Sequence, residues 1–188
     1  MDKLLTRKNI FIVLGVIIGL EVIWAGWSLF KSSQVTQTSP VANQSQVQQT
    51  AITLSSAKSE YKVGEQIVVD INISSAKQVD GADLIITYDP KMLTAKPATP
   101  GTIFSDYPQN TVDANLGKVS ISGITAQPGG VVPDGEFGKV TFVAKAAGTT
   151  KIAFDFTAGQ TGDTNVSETG TGKDILEEVS ELEINILP

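Results

Sequence analysis

The chain contains neither cysteine nor histidine. It therefore has no thiolate nucleophile and no disulfide, and it lacks the usual ligands of zinc and haem. The commonest general acid and base near neutral pH is missing as well. An enzyme built from the remaining groups would have to be a two-carboxylate glycosidase or a Ser–Lys hydrolase. The sequence has no motif for either, and nothing places its best carboxylate pair, Asp155 and Glu136, at the separation that a glycosidase requires.

Positive charge is scarce beyond residue 50. Residues 51–188 hold ten lysines and eighteen acidic residues, a net charge of −8, whereas residues 1–50 hold four basic and two acidic residues, a net charge of +2. An acidic domain repels phosphate backbones. We therefore expect no nucleic acid partner.

Residues 10–30, IFIVLGVIIGLEVIWAGWSLF, form an apolar run that only Glu21 interrupts. As a helix the run would span about 31 Å, which matches a bilayer core. Three basic residues precede the run and one follows closely: Lys3, Arg7 and Lys8, then Lys31. The positive-inside rule then places residues 1–9 in the cytoplasm and the rest outside the cell.

A cleaved signal peptide is the alternative interpretation of this run. The run is longer than a usual signal-peptide core, however, and no clear A-x-A cleavage site follows. We therefore predict a single-pass, uncleaved signal anchor in the cell membrane. Residues 31–50, rich in Ser, Thr and Gln, have no apolar periodicity and are predicted to be a disordered linker.

From residue 51 onward, apolar residues recur with a period of two between turn residues. Ala82, Leu84, Ile86 and Tyr88 share one face of a predicted strand, while Asp83, Ile85 and Thr87 share the other, and the strand stops at Asp89–Pro90. Four later segments repeat the pattern, around Ile121, Phe142, Phe154 and Ile184. Strands with one apolar face each bury it against one another, which predicts an all-β, two-sheet antiparallel sandwich over residues 51–188.

Several segments of this domain, taken in their order and spacing, resemble the cohesin domain, the receptor half of the cohesin–dockerin pair of cellulosomes. They are LSSAKSEYKVGEQIVVDINISS, VDGADLIITYDPKML, TPGTIF, GKVSISG, GEFGKVTFVAKAAGTTKIAFDF and DTNVSETGTGKDIL. The resemblance implies a nine-stranded jelly-roll sandwich that is related to carbohydrate-binding modules. It also implies a non-catalytic receptor for dockerin-bearing proteins in polysaccharide degradation, with calcium carried by the dockerin and no cofactor of its own.

The resemblance also implies a site, because Asp83 occupies the place of an aspartate that contacts the dockerin in the family. Well-studied members of the first class carry a polar residue where this chain has Gly81, so Ile85 beside it indicates an interface with an apolar centre. Ser120, Ser122 and Ile124 would join Asp83, Ile85 and Thr87 on this face if their two strands were neighbours. The simpler interpretation is an ordinary exposed strand with one apolar residue.

Residues 163–174, DTNVSETGTGKD, have the spacing of a calcium loop, with Asp163, Asn165 and Asp174 as the candidate ligands. Glu168 stands where such a loop needs glycine, and Asp174 replaces the closing glutamate. We therefore favour a hydrogen-bonded surface loop and expect no intrinsic metal.

Binding of a polysaccharide is the alternative function, because the fold is related to sugar-binding modules. Such modules generally need aromatic platforms. Both tryptophans lie in residues 10–30, which leaves Tyr61 and Tyr107 as the best candidates. A structural surface module without a soluble ligand is the third interpretation.

Overall fold

The computed structural model describes residues 49–188, and these form a β-sandwich. That part of the chain contains no helix long and apolar enough to cross a membrane. The predicted signal anchor and nearly all of the predicted linker lie outside the described residues. Thr50, at the end of the predicted linker, is buried, and its hydroxyl lies 2.9 Å from Oγ of Ser75, so this residue belongs to the folded domain.

Thirteen strands follow one another along the chain. They are β1 (Ala51–Ser56), β2 (Glu60–Lys62), β3 (Gln66–Ser74), β4 (Val79–Tyr88), β5 (Leu93–Ala95), β6 (Thr99–Pro100), β7 (Asp106–Asp113), β8 (Lys118–Ile124), β9 (Asp134–Ala144), β10 (Gly148–Phe154), β11 (Asn165–Glu168), β12 (Glu178–Val179) and β13 (Glu181–Leu187). The first sheet has the order β12-β1-β3-β9-β5, with β6 also paired to β9. The second sheet has the order β2-β13-β10-β4-β8-β7, with β11 also paired to β4.

The structure has thirteen strands, whereas nine were predicted. The two numbers differ because four longer strands are each interrupted and so count as two. The chain changes sheets between β1 and β2 and again between β12 and β13, where Ser180 separates the two strands. β5 and β6 both pair with β9, and β10 and β11 both pair with β4, on either side of a break. Joining each interrupted pair reduces thirteen strands to nine.

The pairing is also less uniform than predicted. Most neighbours are antiparallel, but β1 pairs with β12 and β2 pairs with β13 in parallel. Both parallel pairs stand at an edge of their sheet. They arise because the first and last strands of the domain run side by side and cross from the first sheet to the second together.

The core lies between the sheets and consists of the alternate, inward-facing residues that the period of two indicates. On β4 these are Ala82, Leu84, Ile86 and Tyr88, each at most 6% exposed. The strand ends at Tyr88, and the backbone amide of Lys91 then donates to Oδ1 of Asp89 at 2.8 Å, which closes the predicted Asp–Pro turn. Alternation on β4 therefore fixes which side chains are left for the outer face.

Candidate binding face on the second sheet

β4 and β8 are antiparallel neighbours near the middle of the second sheet. Asp83 lies opposite Ser122, Ile85 opposite Ser120, and Gly81 opposite Ile124. Residues opposite one another in an antiparallel pair point to the same face. The structure therefore brings all six residues that the sequence singled out onto one outer face: Asp83, Ile85, Thr87, Ser120, Ser122 and Ile124.

These six residues differ in how much of each side chain is accessible. Asp83 is exposed, and Ile124 is 44% exposed. Ile85, Thr87 and Ser120 are partly buried, and the hydroxyl of Thr87 donates to the carbonyl of Ala153 at 3.1 Å. Ser122 is only 7% exposed. Asp83, Ile85 and Ile124 are thus the residues that present charged or apolar surface to solvent on this face.

A depression of about 210 Å³ lies in this face around Asp83 and Ile85. One side is formed by β7, which is the edge strand and carries Gln109 opposite Ser122. The other side is formed by the loop between β10 and β11. The lining consists of Asp83, Leu84, Ile85, Gln109, Ser120, Ser122, Thr161, Gly162, Asp163 and Asn165.

The loop between β10 and β11 is fastened to β4 by Thr164, which is fully buried. The hydroxyl of Thr164 accepts a hydrogen bond from the amide of Ile85 at 3.0 Å and donates to the carbonyl of the same residue at 3.2 Å. The amide of Asp155 also donates to that carbonyl, at 2.8 Å. These bonds hold both ends of the loop against the strand that carries Asp83 and Ile85.

Two side chains close the loop internally. Oδ2 of Asp163 accepts from the amide of Thr157 at 2.6 Å. Nδ2 of Asn165 donates to the carbonyls of Thr161 at 3.3 Å and of Asp163 at 3.0 Å. The wall of the depression is therefore held in shape by hydrogen bonds within the loop.

The model of the cohesin domain family matches residues 50–176. The chain belongs to the cohesin family. The match ends before β13, which nevertheless completes the second sheet of this cohesin domain and places Ile184 and Ile186 in its core. No curated protein matches the chain by sequence.

Solved cohesins share the fold at low sequence identity. A type II cohesin from the cellulosome of Acetivibrio cellulolyticus is 20% identical, with a TM-score of 0.61 over 73% of this chain and 95% of that one. A type I cohesin from Pseudobacteroides cellulosolvens is 21% identical, with a TM-score of 0.58 over 74% and 92%. A type II cohesin–X–dockerin complex from Acetivibrio cellulolyticus gives 19% identity and a TM-score of 0.60 over 74% and 100%.

Residues 163–174, which have the spacing of a calcium loop, form a strand and a turn in this cohesin domain. Asn165 begins β11, and the chain then turns back so that Ser167 pairs with Asp174. Oδ1 of Asp174 accepts from the amides of Val166 and Leu176, both at 3.0 Å. Within residues 49–188, no three acidic side chains gather as a metal site would require.

The two tyrosines of the polysaccharide alternative are both packed against the core. Tyr61 is 5% exposed, with Nζ of Lys58 4.5 Å from its ring centroid. Tyr107 packs edge-to-face on Phe104 and Phe137 and donates its hydroxyl to the carbonyl of Phe137 at 2.9 Å. Burial raises the pKa of Tyr107 above its ordinary value of 10.0, so the hydroxyl remains a donor. Tyr61 is therefore buried, and Tyr107 is partly buried with its hydroxyl already bonded within the domain.

Asp155 and Glu136 lie on opposite sheets and cannot act as a carboxylate pair. Asp155 follows β10 in the second sheet, and its Oδ2 lies 2.8 Å from Nζ of Lys118. Glu136 is on β9 in the first sheet, with its Oε2 2.6 Å from Nζ of Lys139. Both are surface ion pairs, which is the ordinary role of exposed acidic residues on strands.

Proposed function

We propose that this cohesin domain is a non-catalytic receptor that binds a dockerin-bearing protein on the outer face of its second sheet. The observation that carries the proposal is the depression in that face, which lies around Asp83 and Ile85. A cohesin with the same fold has been solved in a cohesin–X–dockerin complex, which supports a dockerin as the class of partner.

The chemistry of the face fits recognition of a protein. Ile85 lies between Asp83 on one side and the Lys118–Asp155 ion pair on the other. Apolar side chains surrounded by polar ones are typical of protein interfaces, and a few central residues carry most of the binding energy. We therefore assign Ile85 to the centre of the interface, Asp83 to a polar contact beside it and Ile124 to its apolar end.

The proposal includes a location, which the sequence alone supports. The apolar residues 10–30 and the basic residues before them favour a single-pass anchor with the cohesin domain outside the cell. The receptor would then hold one dockerin-bearing protein near the membrane surface, with calcium supplied by the dockerin. Fractionation tests this part: the full chain should remain in the membrane pellet after a high-salt wash, and its release into the supernatant would contradict the anchor.

Binding is tested with the full chain and a panel of dockerin modules, including those encoded by the source organism, in calcium buffer. A dockerin should bind and should be released by a calcium chelator. Asp83→Ala and Ile85→Ala should each weaken binding by at least about 30-fold, which corresponds to about 2 kcal/mol. The matched control is Val68→Ala, which removes an equally isolated apolar side chain, 43% exposed, from the first sheet. Unchanged affinity in both Asp83→Ala and Ile85→Ala would show that the dockerin does not bind on this face. If no dockerin binds, the proposed function is refuted.

A further inference from the structure

The depression has two carboxylates in its lining. Asp83 and Asp163 both line it, whereas none of the described residues in its lining is a lysine or an arginine. Lys118 lies on the same face, but its Nζ is 2.8 Å from Oδ2 of Asp155 and so pairs with a different carboxylate. The charge inside the depression is therefore uncompensated by the residues that line it.

Two polar side chains of the lining donate within the protein. The hydroxyl of Ser122 donates to Oε1 of Gln109 at 3.2 Å, and Nδ2 of Asn165 donates to two carbonyls of the loop. In contrast, Oδ1 of Asp163 is buried and has no hydrogen-bond partner among residues 49–188. A buried carboxylate oxygen without a donor is uncommon because it has lost water and gained nothing in return. The lining therefore has neutral donors on Gln109, Ser120 and Thr161, but its described residues supply no positive charge.

We propose that the depression receives one basic side chain of the partner, arginine or lysine, whose charged group is held by the exposed carboxylate of Asp83, with the second negative charge of Asp163 in the same lining. Ile85 supplies the apolar surface against which the methylene stem of such a side chain packs. The volume of about 210 Å³ is below the roughly 300 Å³ at which pockets for small molecules begin, so it suits the end of one side chain. This inference rests on the proposed function, because a dockerin is the protein that would present the side chain.

The charge of the whole domain favours the same partner chemistry. With a net charge of −8 over residues 51–188, the domain attracts a partner surface that carries basic side chains. Such attraction is screened by salt, with a Debye length that shortens from about 10 Å at 0.1 M to about 3 Å at 1 M. Affinity for a partner that uses the depression should therefore fall as salt rises from about 0.05 M to about 0.5 M.

The first test needs no dockerin and uses N-acetyl-arginine methylamide as the probe, with the full chain observed by NMR. The expected result is a saturable shift of the backbone amides of Asp83, Ser122 and Asn165. N-acetyl-citrulline methylamide has nearly the same shape without the charge and should leave these amides unshifted. Equal shifts with both probes, or no saturable shift with the arginine probe, would overturn the inference.

Charge-removing variants locate the effect. Asp83→Asn changes an exposed side chain and should abolish the arginine-dependent shifts, whereas Glu183→Gln removes the same charge from the outer face of β13, outside the depression, and should preserve them. Asp163→Asn should reduce the shifts as well, but it also alters the bond to Thr157, so Asp83→Asn is the decisive variant. Arginine-dependent shifts that survive in Asp83→Asn would place the probe elsewhere and contradict the proposal.

The second test distinguishes this inference from the proposed function. If a dockerin binds, Asp83→Asn should weaken it at least about 10-fold at low salt and less at high salt, since an electrostatic contact is screened. If dockerin affinity changes neither in Asp83→Asn nor with salt, the inference that the depression receives a basic side chain is refuted, while the receptor function is unaffected. Arginine-dependent shifts without binding of any dockerin would refute the receptor function while the site for a basic side chain would stand.

Discussion

Ile124 on β8 packs across Gly81 on β4. The two residues are cross-strand partners, and a Cβ atom on residue 81 would lie 3.2 Å from Cγ2 of Ile124 and 2.8 Å from the carbonyl oxygen of Gly123. The backbone of Gly123 has little room to move toward the core. A Cβ atom on residue 123 would lie 2.7 Å from Cδ2 of Phe104, so the backbone already lies close to that ring. Residue 81 is thus a glycine beneath an isoleucine, and this end of the face is apolar.

Gly81→Ala tests this packing. The added methyl group requires Ile124 and the backbone of Gly123 to move, so we expect the free energy of unfolding to fall by about 1–3 kcal/mol. Urea unfolding followed by circular dichroism measures the change. Gly162→Ala is the matched control, since a Cβ there meets no atom within 4 Å and stability should stay within about 0.5 kcal/mol. Equal stability of Gly81→Ala and Gly162→Ala would show that the sheet can accommodate a methyl group at residue 81.

Thr164→Val tests the attachment of the loop that walls the depression. Valine has nearly the same shape but cannot accept the hydrogen bond from the amide of Ile85, and a buried amide without a partner costs about 1–3 kcal/mol. The carbonyl of Ile85 keeps the bond from Asp155, so the loss is confined to the amide. We expect lower stability in urea and faster hydrogen exchange across residues 157–163.

The control for this variant is Thr141→Val on β9, where the threonine is partly exposed on the outer face of the first sheet. Its stability should change by no more than about 0.5 kcal/mol. Exchange in residues 157–163 that is the same in Thr164→Val as in the unmodified chain would contradict the role of Thr164 as the fastening of the loop.

Glu65→Gln tests a pH dependence. The backbone amide of Lys62, which donates to Oε2 at 2.6 Å, and the ammonium of Lys58 hold the pKa of Glu65 below its ordinary value of 4.5. Because the folded-state pKa is the lower one, the carboxylate stabilises the fold above pH 4.5, and this stabilisation is lost as the pH falls through the folded-state pKa. Glu65→Gln should therefore be less stable than the unmodified chain near neutral pH, and the difference should shrink in acid. A difference in urea midpoint that is constant between neutral and acidic pH would exclude the linkage.

Much of the second sheet was predictable because alternation is a local property. The inward residues of β4 and the outward Asp83, Ile85 and Thr87 follow from the period of two, and Asp89–Pro90 indicates where the strand ends. Strand β7 was missed because its sequence, DYPQNTVD, is mostly polar and contains a proline. Proline is tolerated in edge strands, and β7 is one. Gln109, which lies on that strand and lines the depression, was missed with it.

The depression itself could not be predicted from local patterns. Asp163 was singled out for calcium because of its spacing from Asn165 and Asp174, whereas the structure places it with Asn165 and Asp83 in the lining of the depression. Thr161 and Gly162 belong to a loop without periodicity, and this loop is held at the face by long-range bonds such as that of Thr164 to Ile85, 79 residues away in sequence. A contact between residues so far apart in the chain leaves no pattern in a short segment of sequence.

By itself, the sequence determined the two faces of each main strand, the acidic charge of the domain and the exclusion of thiol, zinc and haem chemistry, because these depend on residue type and on a period of two. The tertiary structure decided that β8 lies beside β4, that Ile124 packs across Gly81 and that Asp163 and Asp83 line the same depression. These relationships join residues far apart in the chain, where register and side-chain hydrogen bonds, not local preference, set which atoms meet.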